Sequence, residues 1–279
     1  MFSRYVALGD SSTEGLDDPD FRGGYRGWAD RLAEHVASQN PEVAYANLAV
    51  RGRSAGEIHA TQLAPALAMQ PDLATVVAGM NDLLRTNWSA VRVAGHVGAM
   101  VRGLREIGTT VITFTIPDVS RRMKLGRVLS TRTQDLNLAI RDEVARAQQA
   151  GPRGSDAETP GRPGVLLLDL AAFELAHDPR MWAVDRLHGN PEGHTRIAAQ
   201  LAFMLDIAGA EPGLAHPPAP MAPRRRREEL AIDVAWIARF VAPWAWRRLR
   251  GRTTGDGITA KRPALAPVVE PTRSRRFDR

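Results

Sequence analysis

At 279 residues, with no cysteine and 44% hydrophobic residues, the chain can bury one sizeable core plus an appendage, and it excludes disulfide frameworks and thiolate chemistry. The formal charge of +6 is unevenly held: residues 221–279 carry 15 Arg/Lys against 6 Asp/Glu, which leaves 22 against 25 in the rest, so the main body has no electrostatic case for binding nucleic acid. No leader pattern precedes the first apolar run, and no uncharged apolar stretch approaches the roughly 18 residues of a membrane span; the expectation is a soluble, cytoplasmic protein.

The first element is a strand over Tyr5-Val6-Ala7-Leu8, ending in Gly9-Asp10-Ser11-Ser12-Thr13. Gly9 permits a tight turn, and the hydroxyls that follow suit a helix N-terminus. A serine there sits at the positive end of a helix dipole, beside backbone N–H groups free to hold an oxyanion. The plainer alternative is that Ser11 or Ser12 only caps the helix.

Gly27 to Ser38 places Trp28, Leu32 and Val36 at helical spacing, and Val43 to Val50 reads as a strand. Ser54 is a candidate cap for a helix to Met69; Leu73 to Ala78 is a buried strand that ends at Gly79; Ser89 to Ile107 is a helix with the stripe Val93, Val97, Met100, Val101 and Leu104. Thr110 to Ile116 is a strand stopped by Pro117. Asp118 to Ser130, with Arg121, Arg122, Lys124 and Arg127, reads as a loop or lid; Thr131 to Ala150 is a helix, Gly151 to Gly164 a flexible connector, Val165 to Leu170 a fifth strand and Pro191 to Ala208 a last helix. Five strands alternating with helices predict a parallel sheet covered on both faces, with ligands beyond the carboxyl ends of the strands.

Those ends gather the polar punctuation. Asn81, in Gly79-Met80-Asn81-Asp82, can aim an amide at Ser11, and Gly52 allows close backbone approach; with the Ser11 N–H they would make three oxyanion donors. Alternatively, Asn81 and Asp82 merely cap the following turn. A serine hydroxyl needs a base held in the right tautomer by a carboxylate, and Asp185-Arg186-Leu187-His188 supplies both from one segment. The other six histidines, His194 included, read as structural or surface residues. The grouping of Asp185, His188, Glu192 and His194 matches no helical zinc spacing, so no metal is expected.

In order, Gly9-Asp10-Ser11-Ser12, Gly52, Gly79-x-Asn81-Asp82 and Asp185-x-x-His188 resemble the four blocks of the SGNH (GDSL-like) hydrolases. The resemblance covers roughly residues 1–208. It implies a three-layer α/β/α sandwich with a five-stranded parallel sheet in flavodoxin-like order. It also implies Ser11 as nucleophile, His188 as base and Asp185 as its orienter, with an oxyanion hole from Ser11, Gly52 and Asn81 and no cofactor. Ser12 stands where the family often has leucine, and Gly189 where a proline commonly follows the histidine. The expected function is a serine esterase acting on a small or lipid-derived ester, its activity falling with pH around ~6.5 if the His188 pKa is unperturbed. The alternative is a noncatalytic binding or scaffold protein that keeps the fold.

Beyond residue 208 the sequence predicts a Pro/Arg-rich linker (209–227), an amphipathic helix (228–250) and an extended or disordered basic tail (251–279). The helix carries Leu230, Val234, Ile237, Val241 and Trp244 in a stripe, widened by Trp236 and Phe240, with a candidate kink at Pro243. The leading reading is packing on its own domain or on a second subunit. Docking on an anionic membrane surface comes next, and nucleic-acid binding through the arginines last.

Overall fold

The computed structural model describes residues 1–21, 23–118, 120, 127–150, 163–216, 219, 226–250 and 253–268. Five parallel strands follow the expected apolar runs: β1 (Arg4–Leu8), β2 (Ala44–Asn47), β3 (Leu73–Val76), β4 (Thr110–Phe114) and β5 (Val165–Leu168). Every residue of β3 and β4 is buried, as a parallel sheet covered on both faces requires.

The helices are α1 (Ser11–Glu14), α2 (Gly27–Ala37), α3 (Ala55–Ala68), α4 (Ala90–Glu106), α5 (Arg127–Ala150) and α6 (Pro191–Met204). Side-chain caps set their starts. Ser54 and Glu57 form a reciprocal capping box on α3, Ser89 accepts from the Arg92 N–H on α4, and Asn190 accepts from the Gly193 N–H on α6 with Pro191 in the first turn.

Alternation along the strands divides the core. Val6 and Leu8 face one cluster with Met100, Leu104, Leu136 and Ile140, while Tyr5 and Ala7 face another with Trp28, Leu32, Phe114 and Leu201. The result is a three-layer α/β/α sandwich, with strand order β5-β4-β3-β1-β2 in the parallel part.

Two expectations are corrected. The described sheet has six strands rather than five: β6 (Arg262–Pro267), drawn from the C-terminal tail, pairs antiparallel with β2 and covers that edge. The expected lid gives up its end to α5, whose first turn takes in residues 127–130; residues 119 and 121–126 lie outside the described residues, as do most of the 151–164 connector and residues 217, 218 and 220–225 of the 209–227 linker.

Past the body, α7 (Arg226–Trp236) runs through a π-helical turn (Ile237–Val241) into α8 (Ala242–Leu249). The irregular turn immediately precedes Pro243, which lacks an N–H and whose ring collides with the carbonyl four residues back in a regular helix, here that of Arg239. No described helix is long and apolar enough to cross a membrane.

Candidate active site

Ser11 opens α1 directly after β1. The short helix is capped by Asp10, whose carboxylate accepts from the Ser12 N–H at 3.1 Å. The turn before it is tightly fixed: the Gln62 amide from α3 both accepts from the Gly9 N–H (2.8 Å) and donates to the Gly9 carbonyl (2.9 Å). A Cβ on Gly9 would lie 2.2 Å from Thr13 Oγ1, so only glycine lets the chain turn here and hold Ser11 at the rim.

The loop after β5 brings Asp185 and His188 to the same place. Trp182 and Gly189 pair in an antiparallel bridge, and the Ala183 N–H donates to the His188 carbonyl at 2.8 Å, so the segment closes on itself. His188 Nε2 lies 2.7 Å from Ser11 Oγ, and His188 Nδ1 lies 2.5 Å from Asp185 Oδ2. The other Asp185 oxygen accepts from the Leu187 and His188 N–H groups at 2.9 and 3.1 Å. Three side chains from two segments far apart in the sequence thus form a continuous hydrogen-bonded chain, with the carboxylate oriented by the backbone of its own loop.

A second carboxylate, not anticipated from the sequence, stands beside it. Asp17, in the loop after α1 with φ at +65°, places Oδ2 3.5 Å from His188 Nδ1. Burial disfavours the imidazolium, but hydrogen bonding to Asp17 and Asp185 outweighs it and carries the His188 pKa up to about 9. The figure of ~6.5 applies to an unperturbed imidazole, and the two carboxylates perturb this one upward. Burial also acts to raise the Asp185 carboxyl, yet the bond and charge of His188 hold it below its usual range. Ligand atoms of Asp17, Asp185 and His188 lie within 4.8 Å of one another, close enough to hold a cation. The same closeness is explained by two carboxylates serving one imidazole.

The expected oxyanion donors are arranged less uniformly. Gly52 has φ at +78°, which favours glycine, and among the described residues neither its N–H nor that of Ser11 has a hydrogen-bond partner. Its loop is tied to α1 by the Arg51–Glu14 ion pair. Asn81 instead spends both amide protons, donating to Asp10 Oδ2 at 2.9 Å and to the Arg53 carbonyl at 3.0 Å. Burial pushes the Asp10 carboxyl up to about 6, against the pull of its bond from Ser12. Asp82 accepts from the Ala55 N–H at 2.9 Å, tying β3's loop to the start of α3.

His194 is held by backbone groups on both ring nitrogens. It is buried, accepts from the Trp28 N–H at Nδ1 (3.1 Å) and reaches the Leu16 carbonyl with Nε2 (3.2 Å). Burial lowers its pKa to about 4, so it bridges α6, α2 and the loop after α1 as a neutral ring.

Ser11 and His188 open into a small cleft whose walls include Trp28, Met80, Phe114, Ile116, Trp182 and Leu187. The C-terminal extension touches the site from outside. The Trp236 indole N–H donates to the Asp185 carbonyl at 2.8 Å; Arg186, between Asp185 and His188, pairs with Asp233 at 2.7 Å and lies 4.8 Å over the Trp236 ring. A turn at Thr253–Gly255 packs against Gly52. Lys261 Nζ donates to the Glu14, Tyr25 and Arg26 carbonyls and pairs with Asp30.

The sequence model of the GDSL-like Lipase/Acylhydrolase family matches residues 7–196, whereas none of the curated proteins matches the chain. Among solved structures, LAE5, an alpha/beta hydrolase enzyme from the metagenome of Lake Arreo, Spain, is 18% identical with a TM-score of 0.57, covering 74% of this chain and 95% of its own. A lipase/acylhydrolase from Enterococcus faecalis is 19% identical (TM-score 0.55; 72% and 94% covered). A mutant of Axe2, an acetylxylan esterase from Geobacillus stearothermophilus, is 13% identical (TM-score 0.57; 78% and 97%). At these identities the likeness is one of fold.

Proposed function

Because this chain belongs to the GDSL-like lipase/acylhydrolase family, we propose that it is a serine hydrolase of carboxylic esters working through an acyl-enzyme on Ser11. The observation that carries the proposal is the single imidazole of His188 bridging Ser11 Oγ and Asp185. A serine hydroxyl is a weak nucleophile until a base within hydrogen-bond reach takes its proton, and that base must keep its other nitrogen protonated.

The steps follow from these contacts. Ser11 Oγ attacks the ester carbonyl carbon as its proton passes to His188 Nε2. The imidazolium is stabilised by Asp185 at Nδ1, with Asp17 adding charge nearby. The carbonyl oxygen becomes an oxyanion, met by the Ser11 and Gly52 N–H groups. Asn81 joins them when one of its contacts, to Asp10 or to the Arg53 carbonyl, gives way. His188 returns the proton to the departing alcohol, and the acyl group stays on Ser11. Water then attacks with His188 again as base, and the free acid leaves. The aromatic and aliphatic walls of the cleft suit the apolar part of an acyl or alcohol group.

Hydrolysis of nitrophenyl esters graded from acetate to long-chain acyl tests this directly. The expected result is turnover whose kcat/KM rises with acyl length until the cleft is filled. Release of nitrophenol indistinguishable from buffer across the whole series overturns the assignment.

A further inference from the structure

The helical segment after the body does not bury the stripe that makes it amphipathic. Trp236 is 5% exposed and holds the segment to the body, whereas Leu230, Val234 and Ile237 remain 65%, 59% and 50% exposed. These three recur at steps of four and three, on one side of the helix. Trp246, further along, is 57% exposed, and Ile232 adds further apolar surface at 42%. The body therefore takes Trp236, which lies about 100° around the helix from Ile237, and leaves the Leu230–Val234–Ile237 stripe in solvent. Such a contiguous apolar strip marks an interaction surface.

Charge selects the occupant. Residues 226–250 hold six arginines against Glu228, Glu229 and Asp233, a net +3, and Asp233 is already paired with Arg186. Arg224 and Arg225 precede the segment in sequence and add to the same sign. A second copy on this stripe would set two arginine-rich segments side by side, like against like. An anionic lipid surface meets both demands: acyl chains accept Leu230, Val234 and Ile237, and phosphates accept the arginines. The pattern is that of a helix lying in the interface, not one that spans it, since no described helix is long and apolar enough to cross.

We infer that residues 226–250 dock this protein peripherally on anionic phospholipid bilayers, with the Leu230–Val234–Ile237 stripe in the acyl boundary. The docked segment is the one that grips the Asp185 carbonyl and Arg186, so the membrane contact is built next to the loop carrying His188. The inference stands independently of the chemistry at Ser11.

Flotation of the full chain with vesicles tests it. One set is phosphatidylcholine alone; the other mixes phosphatidylcholine and phosphatidylglycerol at roughly three to one. The full chain should float with the mixed vesicles, remain unbound with the neutral ones and be released as salt screens the arginines. The variant Leu230→Glu/Val234→Glu/Ile237→Glu alters only exposed positions. It should float at least ~10-fold less while keeping its circular dichroism and its hydrolysis of a soluble ester. Three results overturn the inference: wild type floating with neither vesicle, the triple variant floating as well as wild type, or a dimer in light scattering that the triple variant dissociates. The last would assign the stripe to a second copy.

Discussion

Two regions hold the loop that carries Asp185 and His188, and they hold different parts of it. The body acts on the side chains: Ser11 Oγ meets Nε2, while Asp17 and Asp185 meet Nδ1. The C-terminal extension acts on the frame: Trp236 takes the Asp185 carbonyl, and Asp233 takes the Arg186 side chain. In the proposed reaction the first set changes partners or charge, whereas the second set can stay fixed throughout. Under the proposed mechanism the proton chemistry is lodged in the body, whose family match ends at residue 196, and alignment is shared with a segment beyond it. Variants of the two regions should differ in the size and the kind of their effects.

Among the groups that hold the His188 loop, leaving the Ser11 nucleophile aside, the largest effect is expected at Asp185. Asp185→Asn keeps the size of the side chain but removes the charge that favours a protonated Nδ1 and supports the imidazolium. Steady-state hydrolysis should show kcat lower by about 10²–10⁴-fold. A loss below about tenfold would move the orienting role to Asp17.

Asp17→Asn separates the two carboxylates. His188 must be neutral to act as base, so the rate should fall as pH drops through its pKa, placing the acid limb of kcat/KM in the alkaline range near the value of about 9. Removing Asp17 removes a charge that favours the imidazolium, so the limb should move down by about one pH unit. Activity at neutral pH should then rise severalfold. A limb unmoved by the substitution would show that Asp185 alone sets the basicity.

The smallest effect belongs to the extension. Trp236→Phe keeps an aromatic ring beneath Arg186 and removes only the donor to the Asp185 carbonyl. A kcat loss of about 3–10-fold, with KM little changed, matches the worth of one buried hydrogen bond used for alignment. A matching fall in stability without any change in kcat would make the contact purely structural.

How much of this was legible in the sequence depends on how local each feature is. The parallel strands and the turns at Gly9, Gly52 and Gly79 were readable because burial and turn chemistry are written in a few consecutive residues. The Asp185–His188 pairing lies within one short loop and was equally readable. Asp17 was not, since its role depends on a left-handed residue in the loop after α1 carrying its carboxylate to a side chain 171 positions away. β6 was missed because Lys-Arg-Pro-Ala-Leu-Ala-Pro shows no strand alternation; it is a strand because β2 offers an open edge. Trp236 reads from the sequence only as a widening of the apolar arc; its packing role rests on an indole N–H that meets the Asp185 carbonyl, a residue 51 positions away.

Central to the account is that Ser11 is an activated nucleophile. Incubating the full chain with a fluorophosphonate probe and mapping the adduct by peptide mass tests this most directly. Wild type should carry one phosphonyl group on Ser11, and Ser11→Ala should be neither labelled nor active on any ester that the wild type cleaves. An adduct mapped to another residue, or a Ser11→Ala protein that hydrolyses esters at the wild-type rate, would contradict the account.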